Sequence, residues 1–202
     1  MHLFLRSFPT ATATLLLTLI GLKPISADVV IPNSIKAFHQ GDSLTGNGAA
    51  LQVINGSGMS KPDPNDPSTW TVNSTAWADD WQGFSTPSGN NTTWAVLDLG
   101  SPTPNLDQIY LWSVQENNAR DRGTNRFNIF HATSPTITPP ATSGTVTSYN
   151  FASGGWSQIN GTFSLAQGTG NGDSGQSFDV SAASGARYIG LQLVSNHGGF
   201  RV

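Results

Sequence analysis

Two short runs constrain this chain more than anything else in it: Trp94-Ala95-Val96-Leu97-Asp98-Leu99-Gly100 and Leu106-Asp107-Gln108-Ile109-Tyr110-Leu111-Trp112. Large apolar residues recur at about every second position, the repeat of a β-strand rather than a helix. The turn-forming segment Ser101-Pro102-Thr103-Pro104-Asn105 joins them, so they read as two strands linked by a turn. The second run continues through Val114 and is rich in β-branched and aromatic residues. Asp98, between two leucines, is expected to point away from the face they occupy. Runs of the same kind recur at 127–132, 145–151, 157–163, 177–180 and 187–194. Between them lie a two-proline connector at 134–144, a Gly/Asn-rich segment at 166–175, and a long loop at 65–89. The Gly/Asn-rich segment reads as a mobile loop. Short strands at regular spacing with turn signals between them predict an antiparallel sandwich or barrel.

The first 27 residues read differently. Arg6 supplies a basic start, residues 11–22 an apolar stretch, and Lys23-Pro24-Ile25-Ser26-Ala27 a short end closing on a small residue. That is the layout of a secretory leader with cleavage after Ala27. Its apolar stretch is about a dozen residues, short of the ~20 needed to span a bilayer, and no later segment is apolar enough. Residues 28–202 fit one domain, long enough to bury a core without covalent help. Without Arg6 and Lys23, seven basic residues face twelve acidic ones, a net charge of about −5. There is no basic patch, which argues against nucleic acid as a partner. The absence of cysteine excludes a disulfide framework and points to a bacterial protein that is secreted or held at the cell surface.

Motifs for catalysis are thin. Gly41-Asp42-Ser43-Leu44 matches the nucleophile block of a family of serine esterases. However, Ala37-Phe38-His39-Gln40 before it is not a buried strand, and Gly46-Asn47-Gly48 after it would start a helix poorly. The late histidine, in Val194-Ser195-Asn196-His197, lacks the aspartate that block requires. Gly172-Asp173-Ser174-Gly175 has no accompanying histidine segment of the protease kind. Glu116 is the single glutamate, so the facing carboxyl pair of a glycoside hydrolase is unmarked. His39, His131 and His197 lie far apart without ligand spacing.

Four segments in order carry a resemblance. They are Val53-Ile54-Asn55-Gly56-Ser57-Gly58-Met59-Ser60, then 94–112, then 120–130, and finally Ala186-Arg187-Tyr188-Ile189-Gly190-Leu191-Gln192-Leu193. Together, over roughly residues 35–202, they resemble the discoidin or coagulation-factor F5/8 type C family, of galactose-binding-like fold. The resemblance implies an all-β antiparallel jelly-roll sandwich. It also implies a closing strand and a terminal glutamate beyond Val202, so that residues 28–202 would be a domain lacking its last strand. In that family the first of these loops holds structural calcium (Ca2+). Here Asn55, Ser57 and Ser60 stand at the matching positions, an amide contributes no charge, and the same residues serve equally as a tight turn without metal.

The resemblance places ligands in the loops at one end of the sandwich. Glu116, Asn117, Arg120, Arg122, Asn196 and His197 match those lips, with Trp81 or Trp156 as the aromatic platform. The expectation is a non-catalytic binding module for carbohydrate or another extracellular polysaccharide. Two alternatives stand beside it: an adhesive surface protein with a Pro-Glu-Pro sorting tail beyond Val202, and an esterase acting through Ser43.

Overall fold

The computed structural model describes residues 1–7, 28–38, 49–81, 93–136 and 149–199. Its strands stack as two antiparallel sheets around one core, the sandwich that the spacing of the runs predicts. Ser43 and His39 lie outside the described residues.

The smaller sheet has four strands. β1 (His2–Ser7) lies at its centre, between β2 (Asp28–Val30) and a long strand made by the second of the two opening runs, Leu106–Trp112. The other sheet has six. Its first strand in the chain is β3 (Ser34–Phe38). After a single helical turn α1 (Gln52–Asn55), closed by Gly56 at φ 68°, a small two-stranded ribbon follows, β4 (Met59–Ser60) and β5 (Thr71–Val72). β6 (Trp94–Asp98) returns to pair with β3, and β7 (Leu106–Trp112) is the strand beside β1. β8 (Thr124–Ala132) carries β9 (Ser157–Gln158) and β10 (Phe163–Ser164) on its outer side. β11 (Gln176–Asp179) edges the smaller sheet, and β12 (Tyr188–Asn196) lies between β6 and β8.

The two opening runs are strands, but they do not pair with each other: β6 and β7 belong to opposite sheets. The turn between them therefore carries the chain across the core. Asn105 takes a positive φ of 58° there, and Thr103 bonds through its backbone N–H and C=O to Ala186 and Gly185. Alternation sends Ala95, Leu97, Ile109, Leu111, Ile129 and Leu191 into one shared core. Burying such side chains stabilises by roughly 1.5–3 kcal/mol each.

Both sheets are also covered on their outer faces, which alternation alone does not require. Over the smaller sheet, Phe4, Tyr110 and Trp112 meet Trp70 and Val72 from the ribbon. Over the larger one, Trp94, Val96 and Phe130 meet Tyr149 and Phe151. This is why β6 is buried along its whole length. Asp98 does point away from the leucines, as expected, and Arg187 clasps it with two bonds of 2.9 and 3.0 Å. The guanidinium holds its carboxyl below the usual carboxylate range.

Three expectations change. Residues 149–151, the described part of the run at 145–151, form no strand; they are part of the cover over the larger sheet. The run at 157–163 splits into β9 and β10 around Asn160-Gly161, with Gly161 at φ 84°. The segment 166–175 is tied down: the Asp173 carboxylate accepts from Gln115 Nε2 and from the Thr169 N–H, and the Gly170 N–H donates to Gln115 Oε1. Two of its glycines serve close approach: a Cβ at Gly168 would overlap the Val114 carbonyl, and one at Gly175 would lie 2.5 Å from the Trp112 ring.

β1 falls within the expected leader. Leu3, Phe4 and Leu5 are fully buried, and β2 has its only strand pairing with β1 among the described residues. Removing residues 1–27 would take out the strand that joins β2 to β7.

Candidate functional site

At one end of the sandwich the structure gathers most of the sequence-predicted residues, and it uses them to tie loops together. Glu116 and Arg122 form an ion pair at 3.2 Å, and Asn117 donates to Thr75 Oγ1 at 3.0 Å. Arg120 donates to the Thr169 carbonyl, and Asn196 to the carbonyl of Gly199. His197 donates through Nε2 to the Leu165 carbonyl at 3.0 Å, while its N–H reaches the carbonyls of Asp121 and Gly123. These six residues lie together at that end. The side-chain groups expected to meet a ligand are engaged within the protein.

Trp81 requires a correction. It is 1% exposed and belongs to the core cluster, so it presents no face to a ligand. A tryptophan within a polar, turn-rich segment reads as exposed from sequence; here the sandwich closes over it.

The expected metal loop is also occupied by its own contacts. Asn55 Oδ1 accepts the Ser57 N–H at 2.8 Å, and the Asp79 carboxylate accepts the hydroxyls of Ser57 and Ser74. Ser60 lies in β4, paired with Thr71. Among the described residues no cluster of three or more His, Asp or Glu converges.

The feature with binding geometry lies elsewhere, on the outer face of the larger sheet. After Asn150, the chain turns through Gly154 and Gly155, at φ 76° and 87°, and lays Tyr149, Phe151 and Trp156 across the strands. Phe151 stacks on Phe130 with centroids 4.4 Å apart and planes within 9°. It can do so because Gly190 of β12 has no Cβ, which would overlap the ring. Trp156 stands edge-on to Phe151 at 5.2 Å and donates its indole N–H to the Tyr149 hydroxyl at 2.9 Å. That hydroxyl donates onward to the Thr136 carbonyl at 3.0 Å. Burial pushes the Tyr149 phenol above its ordinary 10, so it stays neutral at any ordinary pH.

Between these rings is a cleft of about 310 Å³, at the small end of the range for ligand sites. Three amides line it, each anchored at one end. Asn150 accepts the Ala152 N–H on Oδ1; Gln158 donates Nε2 to the Gly161 carbonyl; Gln192 accepts from Asn128 on Oε1. Asn150 Nδ2, Gln192 Nε2 and Gln158 Oε1 are left without partners among the described residues. The cleft therefore offers two donors and one acceptor around an aromatic wall. Asn128 is itself held by the Thr162 hydroxyl at 2.8 Å, which fixes the Gln192 amide from behind.

Sequence reading reached only Trp156 of this group. The available signal was local: Tyr149-Asn150-Phe151 and Trp156-Ser157-Gln158 flank a Ser-Gly-Gly turn and interleave aromatics with amides. Comparison with family models, curated proteins and solved structures finds no match; the structure itself shows an all-β antiparallel sandwich.

Proposed function

We propose that this chain is a non-catalytic binding module that takes carbohydrate in the cleft over the larger sheet. The observation that supports it is the pairing of Trp156 and its neighbouring rings with three amides, each of which keeps one polar end open. A pyranose ring has an apolar face of C–H groups and a rim of hydroxyls. An aromatic wall suits the first, and fixed amide donors and acceptors suit the second. Half-buried Trp156 is held by one hydrogen bond and two edge contacts, so little side-chain entropy is lost when a ligand stacks on it.

The test is titration of the full chain with soluble oligosaccharides, followed by tryptophan fluorescence and calorimetry. Binding that Trp156→Ala abolishes, with circular dichroism unchanged, is the expected result. Binding that survives this substitution removes the cleft from the reading, and no binding across a broad glycan panel favours an adhesive protein without a small ligand.

Export belongs to the same proposal, supported by the leader pattern of residues 1–27. The burial of Leu3 and Leu5 stands against loss of β1 from the folded protein. The intact mass of the exported chain tests it: a chain that keeps residues 1–7 overturns cleavage after Ala27. Kinship with the discoidin family has the order of 94–112, 120–130 and 186–193 in its favour.

A further inference from the structure

The charges of this molecule are unevenly distributed around its two candidate surfaces. The loop end holds Glu116, Arg120, Asp121 and Arg122. The cleft over the larger sheet is lined by aromatic and amide side chains with Ala152, and among the described residues no charged side chain lines it. Arg187, whose guanidinium lies over the ring of Tyr188 at 5.0 Å, is committed to Asp98 by two bonds. Arg126 shares the outer face by strand alternation, two positions from Asn128, but it is exposed and does not line the cleft.

An acidic sugar placed against Trp156 would lose water from its carboxylate without gaining a cation, a cost well above that of a neutral hydroxyl. A neutral sugar faces no such cost. Its hydroxyls can accept from Asn150 Nδ2 and Gln192 Nε2 and donate to Gln158 Oε1. We propose, building on the carbohydrate-binding reading above, that this cleft is specific for uncharged glycans and discriminates against uronic-acid polymers. The discrimination is by omission: among the described residues no cation lines the site, and two neutral amide donors compensate a carboxylate less than a guanidinium or ammonium group would. Its volume of about 310 Å³ limits direct contact to one or two rings, so a longer chain lies across the sheet face with most of its length in water.

The experiment titrates the full chain with hexasaccharides of glucose, mannose and xylose, and with oligogalacturonate of the same length, at low and high salt (about 0.05 and 0.5 M). The expected result is binding of at least one neutral ligand at least about tenfold tighter than the acidic one, with affinity nearly independent of salt. Gln192→Glu replaces a donor by a carboxylate and should weaken the neutral ligand by about tenfold, whereas Arg126→Gln should leave it unchanged. Preferred binding of the acidic ligand, or a steep salt dependence lost in Arg126→Gln, overturns the specificity while carbohydrate binding stands. Silence toward both classes overturns the carbohydrate reading itself, and this inference with it.

Discussion

Both sheets carry an aromatic layer on their outer faces, and the two layers differ in what the protein does with them. Over the smaller sheet, Phe4, Trp70 and Trp112 interlock with centroids 4.5–6.2 Å apart and are 0–1% exposed. Trp112 donates to the Trp70 carbonyl at 3.3 Å, Trp70 to the Asp63 carbonyl at 2.6 Å, and Lys61 Nζ sits 4.6 Å above both Phe4 and Trp70. Every polar handle turns inward and the surface is closed. Over the larger sheet, the same kinds of ring leave a cleft, and the amides beside it keep polar ends open. Aromatic residues on a sheet face thus form a second core when a ribbon seals them and the wall of a cleft when a turn only rims them. The difference between a sealed and an open layer lies in the covering segment, not in the rings.

The largest effect that could break this contrast is Phe4→Ala. Truncating a fully buried ring should cost roughly 3–5 kcal/mol, a fall in Tm on the order of 10 °C by thermal melting. Trp156→Ala, at a half-buried ring, should cost well under half of that and act on glycan affinity instead. If Phe4→Ala leaves the melting temperature of the full chain unchanged, β1 is not part of the folded sheet. The sealed layer would then lose its central ring.

Glycine substitutions sharpen the comparison at a smaller scale. Gly175→Ala drives a methyl against the locked Trp112 ring and should cost about 1–3 kcal/mol by urea unfolding. Gly190→Ala pushes a methyl onto Phe151, a ring that borders the cleft. Affinity for the glycan should therefore fall more steeply than stability, and equal losses in both would mean that Phe151 is as fixed as Trp112.

The two layers should also respond differently to acid. His2 lies on the sealed face, and burial pushes its pKa down to about 3 from an ordinary 6.5. The unfolded chain therefore takes up a proton that the folded chain refuses. Stability is complete above the ordinary value and declines as pH falls toward about 3. The Asp98–Arg187 pair contributes a separate loss, confined to pH below the ordinary carboxylate value of 3.8. Urea midpoints from pH 7 to 4 should fall in the native chain and stay flatter in His2→Leu, while the aromatic-and-amide cleft holds its ligand affinity wherever the protein is folded. The smallest expected effect is Lys61→Met, which removes a cation from two ring faces and should change stability by about 1 kcal/mol or less.

How far the sequence reaches is clearest from particular residues. The alternation at 94–98 and 106–112 identified both strands and the outward turn of Asp98, because side-chain direction in a strand is a local property. It did not reveal that the two strands lie in opposite sheets, since a short turn serves a hairpin and a crossing alike. The family resemblance placed Glu116, Asn117, Arg120, Asn196 and His197 at one end, in the lip loops. That their polar groups would be absorbed by Thr75, Thr169, Leu165 and Gly199 depended on segments 42 or more residues away for the first two. Trp81 and Trp156 were equivalent candidates as letters; one is covered by the core and the other rims a cleft.

By itself, the sequence determined the class of element and the antiparallel sandwich, through period-two patterning and turn chemistry that act within a few residues. Only the tertiary structure decided which outer face is sealed and which stays open. Those outcomes depend on whether a distant segment, 59–72 or 149–156, brings enough apolar surface to exclude water from rings that local pattern places on the sheet in the same way.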